Sequence, residues 1–273
     1  MTSGDAQPTL PLPRNAPAPT APRRRRRAWP WIVALIVVAG LAVGAWFAGE
    51  AIARDVVTNT IREQVITQLS LPADQKIDVE VAGAVLPQLI VGTLQDVTIS
   101  SEDVQLQAFA GDVTVHAQDI AIRGDAGAGS ASATVVLDEE QLRGLMSTVE
   151  NFPVDSLGLA EPNVTFSSAL SLFGLTLPVG VALTPSAVDG DIVLSPTSLQ
   201  LAGSDISAAA LREQFGGLAD TVLRDWTVCI AKDVPAGVTL SSIAVTGEQV
   251  TADLVIDPAI VTDPALQENG TCP

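Results

Sequence analysis

The chain has 273 residues, a formal net charge of −17 and a mean hydropathy of +0.37. Residues 1–27 contain six arginines and one acid, so residues 28–273 carry eight basic and 30 acidic side chains. Nucleic-acid binding requires a basic face, and this balance excludes nucleic acid as a partner. The part that follows residue 50 is long enough for one sizeable hydrophobic core or two small ones.

An uncharged run of 22 residues, Ala28–Gly49, directly follows five consecutive arginines at positions 23–27. A helix of that length covers about 33 Å, enough to cross the roughly 30 Å hydrocarbon core of a bilayer. Tryptophans stand at both ends of the run, where headgroups would lie. The sequence therefore predicts a transmembrane signal anchor over residues 28–49. The positive-inside rule places the N-terminus in the cytoplasm and the C-terminal domain in the periplasm or cell envelope.

The run has two alternative interpretations, a buried core helix, which the absence of charge beside five arginines disfavours, and a signal peptide that is cleaved at the small residues Ala51-Ile52-Ala53. The apolar run is longer than the usual h-region of about 7–15 residues, which favours an uncleaved, single-pass anchor. The preceding residues, 1–27, have no apolar period and predict a disordered basic cytoplasmic tail.

Helical and extended patterns alternate along the remaining chain. Apolar residues recur every four positions from Glu50 to Leu71, which predicts an amphipathic helix. A second helix is predicted from Asp138, a good N-cap before two acids, and a third from Asp205 or Ser207 that continues through Gly216-Gly217. Between and after these helices the apolar period is two, which predicts strands up to Ile256.

Short turns of Gly, Pro or Asp join the strands, so the sheets should be antiparallel. We expect an α+β fold in which curved antiparallel sheets wrap against long amphipathic helices, preceded by one transmembrane helix. Residues 50–257 form the predicted extracytoplasmic domain, and residues 258–273 an irregular C-terminal tail. Pro178 favours an edge position for its strand.

The two cysteines, Cys229 and Cys272, both lie in the exported part. In an oxidising compartment they predict one disulfide that fixes the C-terminal tail. Two free thiols or a metal-binding pair are the alternatives. Metal ligands normally come in sets of three or four, and His116 is the single histidine, so no metal or cofactor is predicted.

No catalytic signature is present in the sequence: GxSxG, HExxH, Walker and GxGxxG patterns are all missing. His116 falls on the polar face of a predicted strand, which favours a solvent-facing side chain. Asp253 and Asp257 are the candidates for a catalytic pair of carboxyl groups. Nothing in the sequence pattern brings them together, so they would form a pair only if the fold happened to do so. We therefore expect a protein that is not an enzyme.

Two stretches are unusually apolar, residues 85–91 and 170–179. They are either ordinary core strands or the rim of a groove that accepts an acyl chain or touches the bilayer. In the second interpretation, acyl chains lie against the helix stripes and the inner face of the sheets. The candidate lipid-binding residues are Val57, Ile61, Val65, Leu69, Leu89, Ile90, Leu142, Leu145, Met146, Phe173, Leu175, Leu177, Leu211, Phe215 and Leu218.

Few cations are available to bind a phospholipid head group. For each one, a solvated surface position is the alternative role. The candidates are Arg123, Arg143, Arg212, Arg224 and Lys232.

Several segments together resemble a known family. They are the basic-then-apolar N-terminus, IREQVITQL at 61–69, GTLQDVTIS at 92–100, ATVVLDEEQLRGLM at 133–146, and Cys229 followed by PAGVTLSSIAVTGEQVTADL at 235–254. The layout is similar to the LmeA-like family of actinobacterial exported phospholipid-binding proteins, over roughly residues 50–257. The resemblance implies a tubular lipid-binding-like fold, an anionic phospholipid ligand such as phosphatidylinositol, and a role in envelope lipid or lipoglycan assembly. It supplies no catalytic residues.

The sequence thus predicts a membrane-anchored cell-envelope protein that binds phospholipid in an apolar groove. One rival is a non-catalytic envelope adaptor with a solid core and an unknown protein partner, which would carry no lipid. The other is an enzyme that modifies lipid or glycan, whose turnover would disappear when Asp253 or Asp257 becomes Asn.

Overall fold

The computed structural model divides into two units, Met1–Trp46 and Phe47–Pro273, which are described separately. In the first unit, residues 29–46 are helical and their side chains are exposed. They belong to helix α1, Trp29–Gln68, which is long and apolar enough to cross a membrane. The structure describes residues 29–69, 71–106, 109–123, 127–147, 154–172, 175–201, 204–217 and 223–272.

The second unit contains two antiparallel sheets and, besides residues 47–68 of α1, several short helices. The helices are α2 Val85–Val91, α3 Glu139–Met146, α4 Ala208–Phe215, α5 Pro264–Gln267 and 3₁₀ turns at Val154–Ser156, Ala231–Asp233 and Pro258–Val261. The strands are β1 Asp78–Val81, β2 Thr93–Leu106, β3 Phe109–Ala121, β4 Ser130–Asp138, β5 Gly158–Ala160, β6 Asn163–Leu172, β7 Leu175–Val188, β8 Asp191–Leu201, β9 Ser204–Ser207, β10 Trp226–Val228, β11 Val238–Thr246 and β12 Gln249–Ile256.

The strand order of the first sheet is β1-β2-β3-β4-β12-β11, and that of the second is β10-β8-β7-β6-β5 with β9 paired to β8. Neighbouring strands are antiparallel in both sheets. Strand β11 lies against β7, so the two sheets adjoin there. The expected α+β class with curved antiparallel sheets is confirmed.

One face of the first sheet is apolar from edge to edge. Paired residues on neighbouring strands point to the same face, so the register identifies the rows of side chains that cross the sheet. The opposite face carries polar rows such as Thr98, His116 and Ser132. The apolar rows are Val81, Val97, Ala117, Ala131, Ile256, Val238 and Val79, Ile99, Val115, Ala133, Leu254, Leu240.

Residues 47–68 of α1 cover the β1–β2 side of this apolar face, and Val113 and Ile120 of β3 pack at the border of the same core. Val81 and Val97, which belong to one row, are 3% and 1% exposed beneath the helix. The helix is also fixed through its polar face, since Arg54 donates to the Val81 carbonyl at 2.7 Å and Arg62 to that of Ile77 at 2.9 Å. The rest of the apolar face lies beyond α1.

Capping fixes the positions of α3 and α4. Asp138 and Gln141 form a capping box at the start of α3, which confirms the predicted helix start. Ser207 accepts a hydrogen bond from the Ala210 amide at the start of α4. The third predicted helix is interrupted at Gly216, whose φ of +53° ends α4 at its C-cap. Gly217 is again helical, and residues 218–222 lie outside the described residues.

Two further expectations differ from the structure. Residues 85–91 form helix α2 rather than a core strand. Pro178 lies on β7, which is flanked by β6 and β8 and is not an edge strand. Proline is tolerated there because the last described β8 pair is Val179–Leu201, so Pro178 lies one position beyond it.

The C-terminal tail is ordered by short helices and one disulfide. The 3₁₀ turn Pro258–Val261 and helix α5 replace the irregular structure expected for residues 258–273. Cys229 and Cys272 are bonded, with Cα atoms 5.9 Å apart, which confirms the predicted disulfide. Among the described residues no group of side chains could hold a metal ion.

Candidate lipid-binding site

An apolar cavity of about 400 Å³ lies on the apolar face of the first sheet, beyond the part that α1 covers. Its floor is built from Ala117, Ala131 and Ile256, which are paired across β3, β4 and β12. These three residues continue the row that begins with the buried Val81 and Val97. The volume falls within the range of about 300–1,000 Å³ that is typical of pockets for small ligands.

The C-terminal tail forms one wall of this cavity through Pro258, Ile260 and Val261. The Asp257 carboxylate accepts a hydrogen bond from the Ala259 amide at 2.8 Å and so caps the 3₁₀ turn. Gln267 donates to the Ile260 carbonyl at 2.7 Å and ties α5 to the same turn. The wall is therefore held by its own hydrogen bonds and by the packing of Ile260 over Gly237.

The chemistry of the cavity suits an alkyl chain. Two polar side chains, Asp257 and Thr262, are among its described lining residues. Both are engaged with the backbone of Ala259, Asp257 as an acceptor and Thr262 as a donor to the carbonyl. The other lining side chains are apolar, so the cavity offers a strongly polar ligand few partners, whereas an apolar chain needs none.

The cavity floor continues as a half-buried apolar surface towards the middle of the sheet. Val115 and Ala133 are paired on β3 and β4, and Leu254 is paired with Ala133 on β12. Val113, Val135 and Ala252 form the next row in the same direction. An acyl chain in the cavity could extend along this surface without meeting a polar side chain in either row.

The second sheet has an apolar face of its own. Phe166, Val181 and Leu199 are paired across β6, β7 and β8. Helix α4 packs over the end of this face, where Leu211 contacts the buried Ala208 and Leu223 cluster. This face is the second surface that could contact an apolar ligand.

Other cavities lie on the polar faces of the sheets. A cavity of about 750 Å³ on the first sheet is lined by Asp78, Glu102 and Asp112, among others. A cavity of about 480 Å³ on the second sheet is lined mainly by Ser, Thr, Asn and Gln side chains. They are not suited to an acyl chain, because burying their polar groups against it would cost hydrogen bonds to water.

None of the described candidate lipid-binding residues lines the 400 Å³ cavity, and the role of the whole set stays a prediction. Val57, Ile61, Val65 and Leu89 pack against the core between α1, α2 and the first sheet. Leu69 and Ile90 are exposed, and Leu142, Leu145 and Met146 are half-buried on α3. Leu211 packs in the α4 cluster, Leu175 and Leu177 lie on β7, Phe215 ends α4, and Phe173 and Leu218 lie outside the described residues.

The residues that line the cavity were missed by sequence reasoning because most are alanines or belong to the tail. The available signal was the alternation of small residues on two strands, Val115 with Ala117 and Ala131 with Ala133. That alternation predicts which side chains share one face of each strand, but it does not predict which strands lie next to each other in the sheet. The pairing of β4 with β12, which completes the floor, joins segments more than one hundred residues apart.

The cationic candidates divide into two groups. Arg123 donates to the carbonyls of Leu89 at 3.0 Å and Ile90 at 3.2 Å, at the end of α2. Arg143 donates to the Leu157 carbonyl and pairs with Glu139. The remaining three, Arg212, Arg224 and Lys232, are exposed.

The acids and the histidine of the enzyme alternative have structural partners. Asp253 accepts hydrogen bonds from Thr134 at 2.8 Å and Ser242 at 2.7 Å, and so bridges β4, β12 and β11. Asp257 caps the 3₁₀ turn of the tail. His116 is exposed on the polar face, with its Nδ1 2.9 Å from the Thr98 hydroxyl. These contacts account for each group without a catalytic role.

The fold is an α+β arrangement of curved antiparallel sheets with an apolar cavity and a half-buried apolar face, a site that suits an apolar ligand better than a polar one. The chain belongs to the LmeA-like phospholipid-binding family, whose model matches residues 44–254. Neither the curated proteins nor the solved structures include one that matches the chain.

Proposed function

We propose that the second unit binds one phospholipid with an acyl chain in the 400 Å³ cavity and along the half-buried apolar face of the first sheet. The observation that carries this proposal is the apolar row Val81–Val97–Ala117–Ala131–Ile256, which α1 covers at one end and leaves open at the other. The family to which the chain belongs supports phospholipid as the ligand.

The binding energy would come from the acyl chain. Each methylene removed from water contributes about 0.8 kcal/mol, so burying eight methylenes offers about 6 kcal/mol before the cost of association. Such a site needs no charged clamp to hold its ligand. This agrees with a domain that has few cations and whose cavity has no unpaired charged group among its described lining residues.

Residues 28–49 anchor the protein in the cytoplasmic membrane with the second unit on the outer side, in the cell envelope. The apolar helix and the five arginines before it support this topology. The preferred lipid is anionic and phosphatidylinositol-like, and the protein supports envelope lipid or lipoglycan assembly. These finer statements rest on the family resemblance.

The test is lipid extraction and native mass spectrometry on the full chain, purified after export so that the disulfide forms. We expect about one tightly held phospholipid per chain, and its mass identifies the head group. Annular lipid around the anchor is a confounding source, so two variants are compared. Ala131→Phe fills the cavity floor, whereas Ser132→Phe places the same ring on the opposite, polar face.

Ala131→Phe should lose the tightly held lipid, and Ser132→Phe should keep it. Displacing about three methylenes at about 0.8 kcal/mol each predicts a loss of roughly 60-fold in affinity. Equal lipid content in both variants would show that the lipid is annular and would refute the site. No tightly held lipid in the wild type would favour the adaptor hypothesis.

A further inference from the structure

Four exposed apolar side chains lie at the same end of the first sheet. Ile90 and Val91 end α2 and are 67% and 77% exposed, and Ile122 and Val261 are 41% and 66% exposed. The Ile122 amide donates to the Gly92 carbonyl at 3.0 Å, which places Ile122 beside the end of α2. Single exposed apolar residues need no explanation, but several at one end of a sheet and beside an apolar cavity are typical of an interaction site. We call these four residues the apolar tip.

The apolar tip borders the mouth of the 400 Å³ cavity. Val261 belongs to both, since it also lines the cavity. Ala121, which precedes Ile122 in the chain, is another lining residue, and its amide donates to the Gly127 carbonyl at 3.3 Å. A surface that contacts the tip therefore also contacts the edge of the cavity.

Hydrogen bonds at both ends of helix α2 hold the part of the apolar tip that the helix contributes. The buried Gln88 side chain donates to the carbonyls of Ala82 and Ala84 and accepts from the Gln95 amide. At the other end, the Arg123 guanidinium donates to the last carbonyls of the helix. Because these contacts fix the position of α2, they also hold the side chains of Ile90 and Val91 in exposed positions.

The first turn of α2 is bound to Glu50, whose carboxylate accepts the amides of Val85 at 2.6 Å and Leu86 at 2.9 Å. Glu50 is the first charged residue after the uncharged run 28–49. The seven residues of α2 span about 10 Å, so Val91 lies about that far from the contact with Glu50. The interfacial layer outside the hydrocarbon core is about 5–8 Å thick. The tip is thus close to the residue at which the uncharged run ends.

We propose that the apolar tip inserts into the interfacial layer of the outer leaflet, so that the cavity exchanges its lipid directly with the bilayer. This inference rests on the proposed function and adds the route by which the lipid enters. The partner is the lipid surface itself, because the tether brings a bilayer to the tip before any other partner. Residues 28–273 carry a net charge of −22, so apolar insertion rather than charge attraction drives the contact.

The first experiment measures insertion depth on the full chain in vesicles of phosphatidylcholine and phosphatidylinositol. An environment-sensitive fluorophore is placed on Val91→Cys and, as a control, on Val255→Cys. Val255 is a valine that is 53% exposed on the polar face of β12. Lipids with shallow bromine labels should quench the first fluorophore and leave the second unchanged. Equal signals from both positions would overturn the insertion.

The second experiment measures lipid entry with a phospholipid that carries a photoactivatable group on its acyl chain, in the same vesicles. Trypsin separates residues 28–54, which contain the anchor, from residues 124–143, which contain the cavity floor at Ala131. Labelling of residues 28–54 serves as an internal standard. Ile90→Asp with Val91→Asp should reduce labelling of residues 124–143 about tenfold, while Val255→Asp leaves it unchanged.

The two proposals fail in different ways. If residues 124–143 of the wild type are not labelled, the cavity does not bind lipid and the proposed function falls. If they are labelled equally in the wild type and in the Ile90→Asp, Val91→Asp variant, the lipid site stands and entry through the tip is wrong. Capture of the tip by a protein would leave the Val91 fluorophore unquenched in vesicles, which also overturns the insertion.

Discussion

The carboxylate of Glu50 accepts the backbone amide of Val85 at 2.6 Å, across 35 residues of sequence. A second hydrogen bond, from Leu86, and the guanidinium of Arg54 complete its surroundings. The two backbone hydrogen bonds, followed by the charge of Arg54, lower the pKa of Glu50 below its ordinary value. Glu50 thus supplies the cap that α2 lacks in its own sequence, where Ala84 is the N-cap.

Replacing Glu50 by Gln should loosen α2, because the carboxamide loses the negative charge and one of the two acceptor oxygens. We expect faster amide hydrogen exchange at residues 85–91 at neutral pH, with little change in the strands of the first sheet. Glu63→Gln is the matched control, since Glu63 lies exposed on the same helix. Equal exchange in both variants would mean that Glu50 does not fix α2.

The same contact predicts a pH dependence with a definite sign. A carboxyl group whose pKa is lowered by folding stabilises the fold above its unfolded pKa. That stabilisation is lost as the pH falls through the lowered value. The protection factors of the amides at residues 85–91, which correct for the intrinsic pH dependence of exchange, should therefore fall in acid more steeply in the wild type than in Glu50→Gln, which has no carboxyl group at this position to protonate.

Asp253 connects three strands through Thr134 and Ser242, on the face opposite the cavity. Asp253→Asn should lower the free energy of unfolding by about 1–2 kcal/mol, since hydrogen bonds to a charged acceptor contribute about 1.5–3 kcal/mol and the amide retains one acceptor. Chemical denaturation of the full chain in micelles measures this. Thr134→Val should cost a similar amount, and the double variant less than the sum.

Lipid content provides the functional part of the Asp253 test. Because Asp253 points away from the apolar face, Asp253→Asn should keep the tightly held lipid. A turnover of lipid or glycan that vanishes in this variant would instead revive the enzyme hypothesis.

Local signals in the sequence are sufficient to predict several elements. Asp138 followed by two acids and Gln141 is a complete helix start, and the structure has the capping box there. The period of two around Val79 and Val81 predicts a strand, and both residues are buried on β1. Such elements depend on neighbours in sequence, so the pattern alone determines them.

Elements that depend on distant partners could not be predicted in this way. Residues 85–91 are too short for their period to separate a helix from a strand, and their cap comes from Glu50. The cavity floor needs Ala131 to pair with Ile256, a contact that no local pattern specifies. The tail that contributes the wall is closed at its far end by the bond between Cys229 and Cys272, which also joins positions far apart in the sequence.

The disulfide should therefore affect both stability and lipid binding. It closes a loop with a sequence separation of 43, for which chain entropy predicts a stabilisation of about 4 kcal/mol at most. Cys229→Ser with Cys272→Ser should lower the denaturation midpoint and reduce the tightly held lipid, because Ile260 and Val261 form a wall of the cavity. Adding a reductant to the wild type should reproduce both changes. If the double variant is less stable than the wild type but its lipid content is unchanged, the tail is not needed to hold the ligand.

Two glycines allow the same chemical change to be made with opposite expected signs. A Cβ on Gly127 would lie 2.6 Å from the Pro258 carbonyl oxygen, whereas one on Gly144 in α3 meets nothing within 4 Å. Gly127→Ala must displace the tail from the cavity edge and should cost about 1–3 kcal/mol, with weaker lipid binding. Gly144→Ala should stabilise the protein by up to about 1 kcal/mol, since alanine favours a helix. Both effects are tested by measuring the denaturation midpoint and the lipid content of each variant. If Gly127→Ala is as stable as the wild type and keeps its lipid, the close packing of the tail against residue 127 is wrong.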